Sequence, residues 1–135
     1  MNQTAVAFET KTSQPFDEVV RRCREALESE GFGVLTEIDV QATFKKKLDV
    51  DREPYLILGA CHAPSAHRAV TALPQVGVLL PCNVTVSVED GATVVRAMNP
   101  GSVMQFLDHP VVEEVAEEVG LKLQRVVAAV ETVAA

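Results

Sequence analysis

The chain has few basic residues, few cysteines and no long apolar run, and each shortage excludes a class of protein. Its 135 residues include 12 Lys and Arg against 19 Asp and Glu, giving a net charge of −7. Contacts with nucleic-acid phosphates need clustered Lys and Arg, so we expect no nucleic-acid partner for this acidic protein. No stretch approaches the roughly 20 apolar residues that cross a bilayer, so we expect no membrane contact.

The cysteine content and the N-terminal sequence both bear on the compartment. Three cysteines, an odd number, fit reduced thiols better than a disulfide framework. The N-terminal residues lack a basic segment followed by an apolar run, so no secretory signal is expected. We therefore predict a cytoplasmic protein. With 47% hydrophobic residues, the chain is long enough to form one domain over residues 1–135 with a single core.

Hydrophobic periodicity predicts five strands and four main helices. Alternating or continuous apolar residues predict strands over 4–10, 32–39, 55–60, 84–89 and 92–98. Helical spacing predicts helices over 15–30, 40–48, 64–73 and 110–130, with an extended stretch over 76–80 and a short helical turn within 102–107. The order β-α-β-α-β-α-β-β-α predicts an α+β domain. We expect a mixed, mainly antiparallel sheet of about five strands with the helices packed mainly on one face.

Local signals fix several ends of these elements. Ser13 or Gln14 is expected to cap the first helix, which Gly31 ends, and Asp39 is expected to cap the second. Asp90-Gly91 lies between two alternating runs and predicts a tight hairpin turn.

The stretch from 54 to 86 concentrates the residues that carry chemistry, since it holds two of the three cysteines and two of the three histidines. Cys61 is expected at the end of a central strand just before a helix start, an environment that favours a thiolate. His62 follows directly, but adjacent strand residues point to opposite faces, so the two side chains reach one ligand only if the strand ends there.

Cys82 alternates in phase with Val84, Val86 and Val88, which predicts a buried thiol. Burial in apolar surroundings raises a thiol pKa. If the strand of Cys82 neighbours the strand that ends at Cys61, the two sulfurs can meet. The 21-residue separation is neither a CxxC redox motif nor a zinc-knuckle spacing.

Two acidic residues on one strand face, Glu37 and Asp39, are further candidates because paired carboxylates bind cations or share a proton. Asp39 already has a role as a helix cap. Glu37 has none, and Leu35 on the same face suggests partial burial. The chain contains no GxSxG, P-loop, Rossmann or HExxH motif, which removes the common motif-bearing enzyme classes.

Several segments together resemble domain-of-unknown-function family 302. The segments are Gly31-Phe32, Thr36 to Val40, Leu58-Gly59-Ala60-Cys61 with Pro64 and Ala66, and Leu79 to Val84. The resemblance covers nearly the whole chain and implies a small bacterial or archaeal α+β domain that forms a homodimer, without implying an activity. Matching the motifs by position indicates five residues as functional: Glu37, Asp39, Cys61, Pro81 and Cys82.

Three functions remain open. The first is a binding or sensor domain for a small ligand, a cofactor or a soft metal such as zinc, copper(I) or iron. Its candidate ligand-binding residues are Glu37, Asp39, Cys61, His62, Pro81 and Cys82, with Cys61 and Cys82 as the candidate metal ligands. The second is a structural or interaction homodimer in which both cysteines belong to the core. The third, ranked last, is an enzyme that uses Cys61 as its nucleophile or redox thiol. The sequence identifies no particular cofactor.

Overall fold

The computed structural model describes residues 1–131, which form six strands and five helices. The strands are β1 (Asn2–Gln3), β2 (Ala7–Thr12), β3 (Gly33–Asp39), β4 (Tyr55–Cys61), β5 (Cys82–Glu89) and β6 (Ala92–Met98). The helices are α1 (Phe16–Ser29), α2 (Val40–Leu48), α3 (Ala63–Ala72), α4 (Pro100–Val103) and α5 (Pro110–Glu131). Two 3₁₀ segments, Pro74–Leu79 and Gln105–Leu107, follow α3 and α4. No helix within residues 1–131 is both long and apolar enough to cross a bilayer.

The strands form one sheet in the order β1-β2-β6-β5-β4-β3. The predicted α+β class and element order are confirmed. The sheet differs from the expected one in two respects: it has six strands, and every pairing within residues 1–131 is antiparallel. The added strand, β1, has only two residues, too few to show a period in the sequence.

A single core lies between one face of the sheet and the helices. Buried side chains of α1, α3 and α5 pack there against strand residues such as Phe8, Leu58, Val84 and Val95. Each of these strand residues is at most 2% exposed. Because directly paired residues in an antiparallel sheet share a face, the register of β4, β5 and β6 places one continuous apolar surface under the helices.

The best-predicted elements are those whose ends carry a local signal. Helix α2 begins and ends as predicted, and the Asp39 carboxylate accepts a 2.9 Å hydrogen bond from the backbone N–H of Ala42. The β5–β6 hairpin turns at Asp90 and Gly91, which have φ values of 50° and 79°. Gly31 has the expected positive φ, 86°, just after α1.

The starts of β2 and α1 differ from the predictions, because local turns and caps are not visible in the hydrophobic periodicity. The Thr4 hydroxyl accepts hydrogen bonds from the N–H groups of Val6 and Ala7, so β2 begins three residues later than expected. Helix α1 is capped by Pro15, without a side-chain cap, and not by Ser13 or Gln14.

The prediction of an extended stretch over 76–80 is wrong. The chain turns there in the 3₁₀ segment, closed by hydrogen bonds from Val76 N–H to Leu73 and from Leu80 N–H to Gly77. Its buried anchor is Val76, whereas Val78 is 87% exposed. Alternating valines therefore mark opposite sides of a tight turn here, a pattern that also resembles a strand.

Strand β3 forms one edge of the sheet and carries a bulge at Leu35. The register passes from Val34 opposite Ala60 to Thr36 opposite Gly59, which leaves Leu35 without a partner. Leu35 is 68% exposed, so the expectation that its face of the strand is partly buried is wrong.

Candidate ligand-binding cavity

An apolar cavity of about 250 Å³ lies at the end of the sheet where β4 ends and β5 begins. Strand β3 contributes Thr36 to its wall, α3 contributes Ala69, and α5 contributes Val115 and Ala116. Met104, just after α4, closes another side. No Asp, Glu, Lys or Arg lines the cavity. The space therefore suits an uncharged, largely apolar occupant.

The exposure of the lining residues shows which end of the cavity opens to solvent. Leu35 is exposed, and Cys61 and His62 are partly buried, so these residues lie at the mouth. Cys82 and Met104 are buried and lie deeper. A molecule entering here would pass the weakly polar thiol of Cys61 and imidazole of His62 before it reached the apolar walls.

Cys61 and Cys82 both line this cavity, and all three cysteines of the chain are free thiols. The sequence left open whether their strands are neighbours, and the structure shows that β4 pairs with β5 in antiparallel register. Cys82 is also buried as predicted. Its burial raises its pKa to about 12, with a smaller contribution in the same direction from Cys61. Cys61 is the more exposed thiol and the one that a reagent reaches first.

His62 and Cys61 both line the cavity. Cys61 is the last residue of β4, and His62 is the residue that precedes the first turn of α3. His62 Nδ1 lies 2.7 Å from the hydroxyl oxygen of the buried Ser65. This hydrogen bond fixes the orientation of the imidazole ring.

Two further residues hold the other side of the imidazole. The ring of Phe32 meets that of His62 edge-on, with centroids 5.6 Å apart. At Gly31, an added Cβ would lie 3.2 Å from both Cδ2 and Nε2 of His62. Gly31 therefore serves two purposes, since its positive φ ends α1 and its missing side chain leaves room for His62.

Gly59 allows two cavity residues to close over β4. A Cβ at position 59 would lie 2.2 Å from Thr36 Oγ1 and 3.0 Å from Pro81 Cγ. Thr36 and Pro81 line the cavity, and the peptide bond between Leu80 and Pro81 is cis. The glycine is thus required for the packing of the cavity wall.

The two acidic candidates lie outside the cavity. Glu37 is on the surface, where its Oε1 is 2.8 Å from an Nη atom of Arg24. Asp39 is exposed and caps α2. The structure therefore brings together Cys61, His62, Pro81 and Cys82, but places neither carboxylate beside them.

Comparison with known proteins identifies the family. A family model described as "Domain of unknown function DUF302" matches residues 8–130. The chain belongs to the DUF302 family. A crystal structure of an uncharacterized conserved DUF302 protein from Bacillus stearothermophilus resembles this structure with a TM-score of 0.84 and 27% sequence identity. That match covers 91% of this chain and 96% of the other. No curated protein shows significant similarity to the chain.

Within residues 1–131 of this DUF302 domain, no group of three or more His, Cys, Asp or Glu side chains is arranged to hold a metal ion. The third cysteine, Cys23, lies in the core on α1, where burial raises its pKa to about 12.

Sequence reasoning missed most of the cavity wall, including Thr36, Met104 and Ala116. One signal in the sequence could have predicted the cavity. Alanine recurs on the inner faces of α3 and α5, where larger side chains would fill the space.

Proposed function

We propose that this DUF302 domain binds a small, uncharged, largely apolar molecule in the cavity between the sheet end and helices α3 and α5. The cavity itself carries the proposal. An engineered cavity of about 150 Å³ lined by apolar side chains binds benzene, so about 250 Å³ accommodates a somewhat larger molecule. Ligand sites are commonly apolar clefts with a few polar groups that fix orientation.

The polar groups at the mouth limit the chemistry of the ligand. Thr36 offers a hydroxyl, His62 an imidazole and Cys61 a thiol, and no charged side chain lines the space. A carboxylate or ammonium group inside would lose its hydration without a counter-charge, which is costly. The ligand therefore has an apolar body and at most one neutral polar group, directed toward the mouth.

A soft metal held by Cys61 and Cys82 is the less supported form of a binding function. The two thiols have no third ligand of the usual kind grouped with them among residues 1–131. Structural zinc sites use four such ligands. A thiol-dependent enzyme also has less support, because neither Glu37 nor Asp39 lies in the cavity to assist Cys61. His62 does line the cavity, but its Nδ1 is hydrogen-bonded to Ser65.

Indole is a suitable probe, because it is neutral and the chain contains no tryptophan. Its fluorescence therefore reports on the probe almost without background from the protein. We expect the emission of indole to shift to shorter wavelength on titration with protein and to saturate at one equivalent. Calorimetry gives an independent measure of the same binding.

Matched variants test where the probe binds. Ala69→Leu combined with Ala116→Leu adds bulk to the cavity walls that α3 and α5 contribute, and both residues are buried. Ala63→Leu combined with Ala128→Leu adds the same atoms to exposed positions on the same two helices. The proposal requires that the first pair abolishes indole binding and the second preserves it. Equal binding by both variants, or none by the wild type, would disprove it.

Two broader expectations accompany this proposal. The first is a homodimer, suggested by the family resemblance, which sedimentation equilibrium of the untagged protein would test. The second is a cytoplasmic location, which the three free thiols support.

A further inference from the structure

One continuous part of the chain contains a strand and a helix that bury no residue. Residues 33–53 span β3, α2 and the segment that follows, and none of them is buried. We call this region the β3–α2 surface. Every other helix within residues 1–131 contains at least one buried residue, whereas α2 contains none. The β3–α2 surface therefore lacks the packing that holds the other helices in place.

This lack of packing is unusual for a helix as short as α2. It has nine residues, and isolated helices below about 12 to 15 residues are marginal in water, so most helices depend on burying an apolar face. Such a face is present in α2, because Val40, Phe44 and Leu48 recur at four-residue intervals. Phe44 and Leu48 are nevertheless exposed, Leu48 by 66%. The helix has an apolar face without a partner to cover it.

Strand β3 has a free backbone edge beside this helix. It is the last strand in the sheet order, so one side of its seven-residue backbone has no partner strand within residues 1–131. The strand at the other edge, β1, has only two residues. A long edge strand is a template for pairing with another chain, and β3 contains no proline that would prevent it.

Exposed apolar side chains concentrate on the β3–α2 surface. Eleven large hydrophobic residues are exposed within residues 1–131, and five of them belong to this surface. They are Leu35, Ile38, Phe44, Leu48 and Val50. A standard protein interface takes about 20 to 30 residues from each partner, and the β3–α2 surface has 21. Its size is therefore that of one side of a stable interface.

The charge of this surface also differs from that of the rest of the chain. Residues 33–53 contain four basic and five acidic side chains, a net charge of −1, whereas the remaining residues carry −6. The net charge of −6 opposes self-association through the rest of the molecule. On the β3–α2 surface both signs are present in nearly equal number, so two copies related by a two-fold axis can set opposite charges against each other.

From these observations we infer that two copies of this chain associate through the β3–α2 surface, with β3 of one copy paired antiparallel to β3 of the other. A second copy supplies both an edge strand for the free backbone groups and an apolar helix for α2. A peptide would supply only the strand, and lipid cannot hydrogen-bond to the free edge. The inference deepens the homodimer expected above by naming its surface, and it does not depend on a ligand in the cavity. A protein that fails to bind indole can still form this dimer.

Sedimentation equilibrium of three untagged proteins tests the surface. Ile38→Lys combined with Leu48→Lys adds two charges to the β3–α2 surface at exposed positions, so the fold should be kept, as circular dichroism will show. Val78→Lys combined with Leu121→Lys adds the same charge at exposed apolar positions elsewhere. We expect the wild type and the second variant to have twice the chain mass of 14.6 kDa, and the first variant to have the mass of one chain.

Hydrogen exchange of the wild-type protein is a second measurement that needs no variant. An unpacked helix opens locally at little cost in free energy, so its amides exchange fast. In the dimer we expect the amides of α2 to be protected, and we expect that protection to be lost in Ile38→Lys with Leu48→Lys.

Four results would overturn the inference. A monomeric wild type would mean that a different protein or a lipid covers the surface. The others are a first variant that remains dimeric, equal dissociation of both variants, and fast exchange of α2 in the wild-type dimer. If the first variant does not fold, the wild-type exchange decides.

Discussion

Replacing Gly59 by alanine should destabilise the protein, because the new methyl group would clash with Thr36. Replacing Thr36 by alanine should relieve that clash. The added Cβ would lie 2.2 Å from Thr36 Oγ1 and 3.0 Å from Pro81 Cγ. Overpacking of this kind costs about 1 to 3 kcal/mol, against a gain of about 0.5 to 1 kcal/mol for replacing glycine in a strand. Thr36 is β-branched, so changing its χ1 angle brings another atom toward the same space. We expect a net loss of about 1 to 2 kcal/mol.

Thr36→Ala removes the clashing oxygen and leaves the Cβ of residue 36 at an ordinary contact distance of 3.5 Å from the new methyl group. Gly59→Ala should therefore cost less in the Thr36→Ala background than in the wild type. Urea unfolding of the wild type, both single variants and the double variant gives the coupling free energy. We expect at least about 1 kcal/mol in the direction of rescue.

Gly33→Ala is the matched control, because it lies in the same sheet and an added Cβ meets nothing within 4 Å. It should be neutral or slightly stabilising. Two results would refute this account of the cavity wall. One is a coupling energy within the roughly 0.3 to 0.5 kcal/mol expected for independent sites. The other is an equal loss of stability on Gly33→Ala.

Two further predictions concern the interior. Gly120→Ala should stabilise α5 by up to about 1 kcal/mol in urea unfolding, since the new Cβ would meet Pro100 at 3.7 Å, an ordinary contact; a loss of stability would contradict this. Burial raises the pKa values of Cys23 and Cys82 to about 12 each, so the folded state favours the neutral thiol over the thiolate at both positions. Their contribution is complete below pH 9 and is lost as the pH rises from 9 toward 12, so the urea midpoint should fall over that range, less steeply in Cys23→Ala. An identical slope in that variant would contradict the assignment to Cys23.

The elements predicted correctly are those whose signals lie within a few residues of sequence. Asp39 caps α2 through the N–H three residues later, and Asp90-Gly91 forms the turn between the two strands that it joins. The bulge at Leu35 is different, because it depends on the pairing of β3 with β4. No pattern within β3 shows which residue loses its partner.

The candidate site also has residues that local sequence signals could predict and residues that depend on tertiary packing. Strand ends, helix starts and the family resemblance selected Cys61, His62, Pro81 and Cys82 as candidates, and all four line the cavity. Glu37 was selected from strand alternation and from the family resemblance, and it pairs on the surface with an arginine of α1. The remaining cavity residues come from segments far apart in the chain. Only the tertiary packing of α5 and the α4 segment against the sheet end brings them together.

The cavity also lowers the stability of the domain, and a domain selected for stability alone would not be expected to keep it. Protein interiors are close-packed, and an unfilled core cavity costs roughly 24 cal/mol per Å³. This cost applies to the enclosed part of the space and not to the part that opens to solvent at the mouth. Water is a poor filler, because the walls offer few hydrogen-bond partners.

Filling such a cavity should therefore raise stability while removing function. Ala69→Leu with Ala116→Leu is expected to unfold at higher urea concentration than the wild type and to lose indole binding. The opposite result for stability would mean that the space is already closed by rearrangement of its walls. Larger side chains at a few alanine positions would remove this cavity, so its open state favours the proposal that a molecule occupies it.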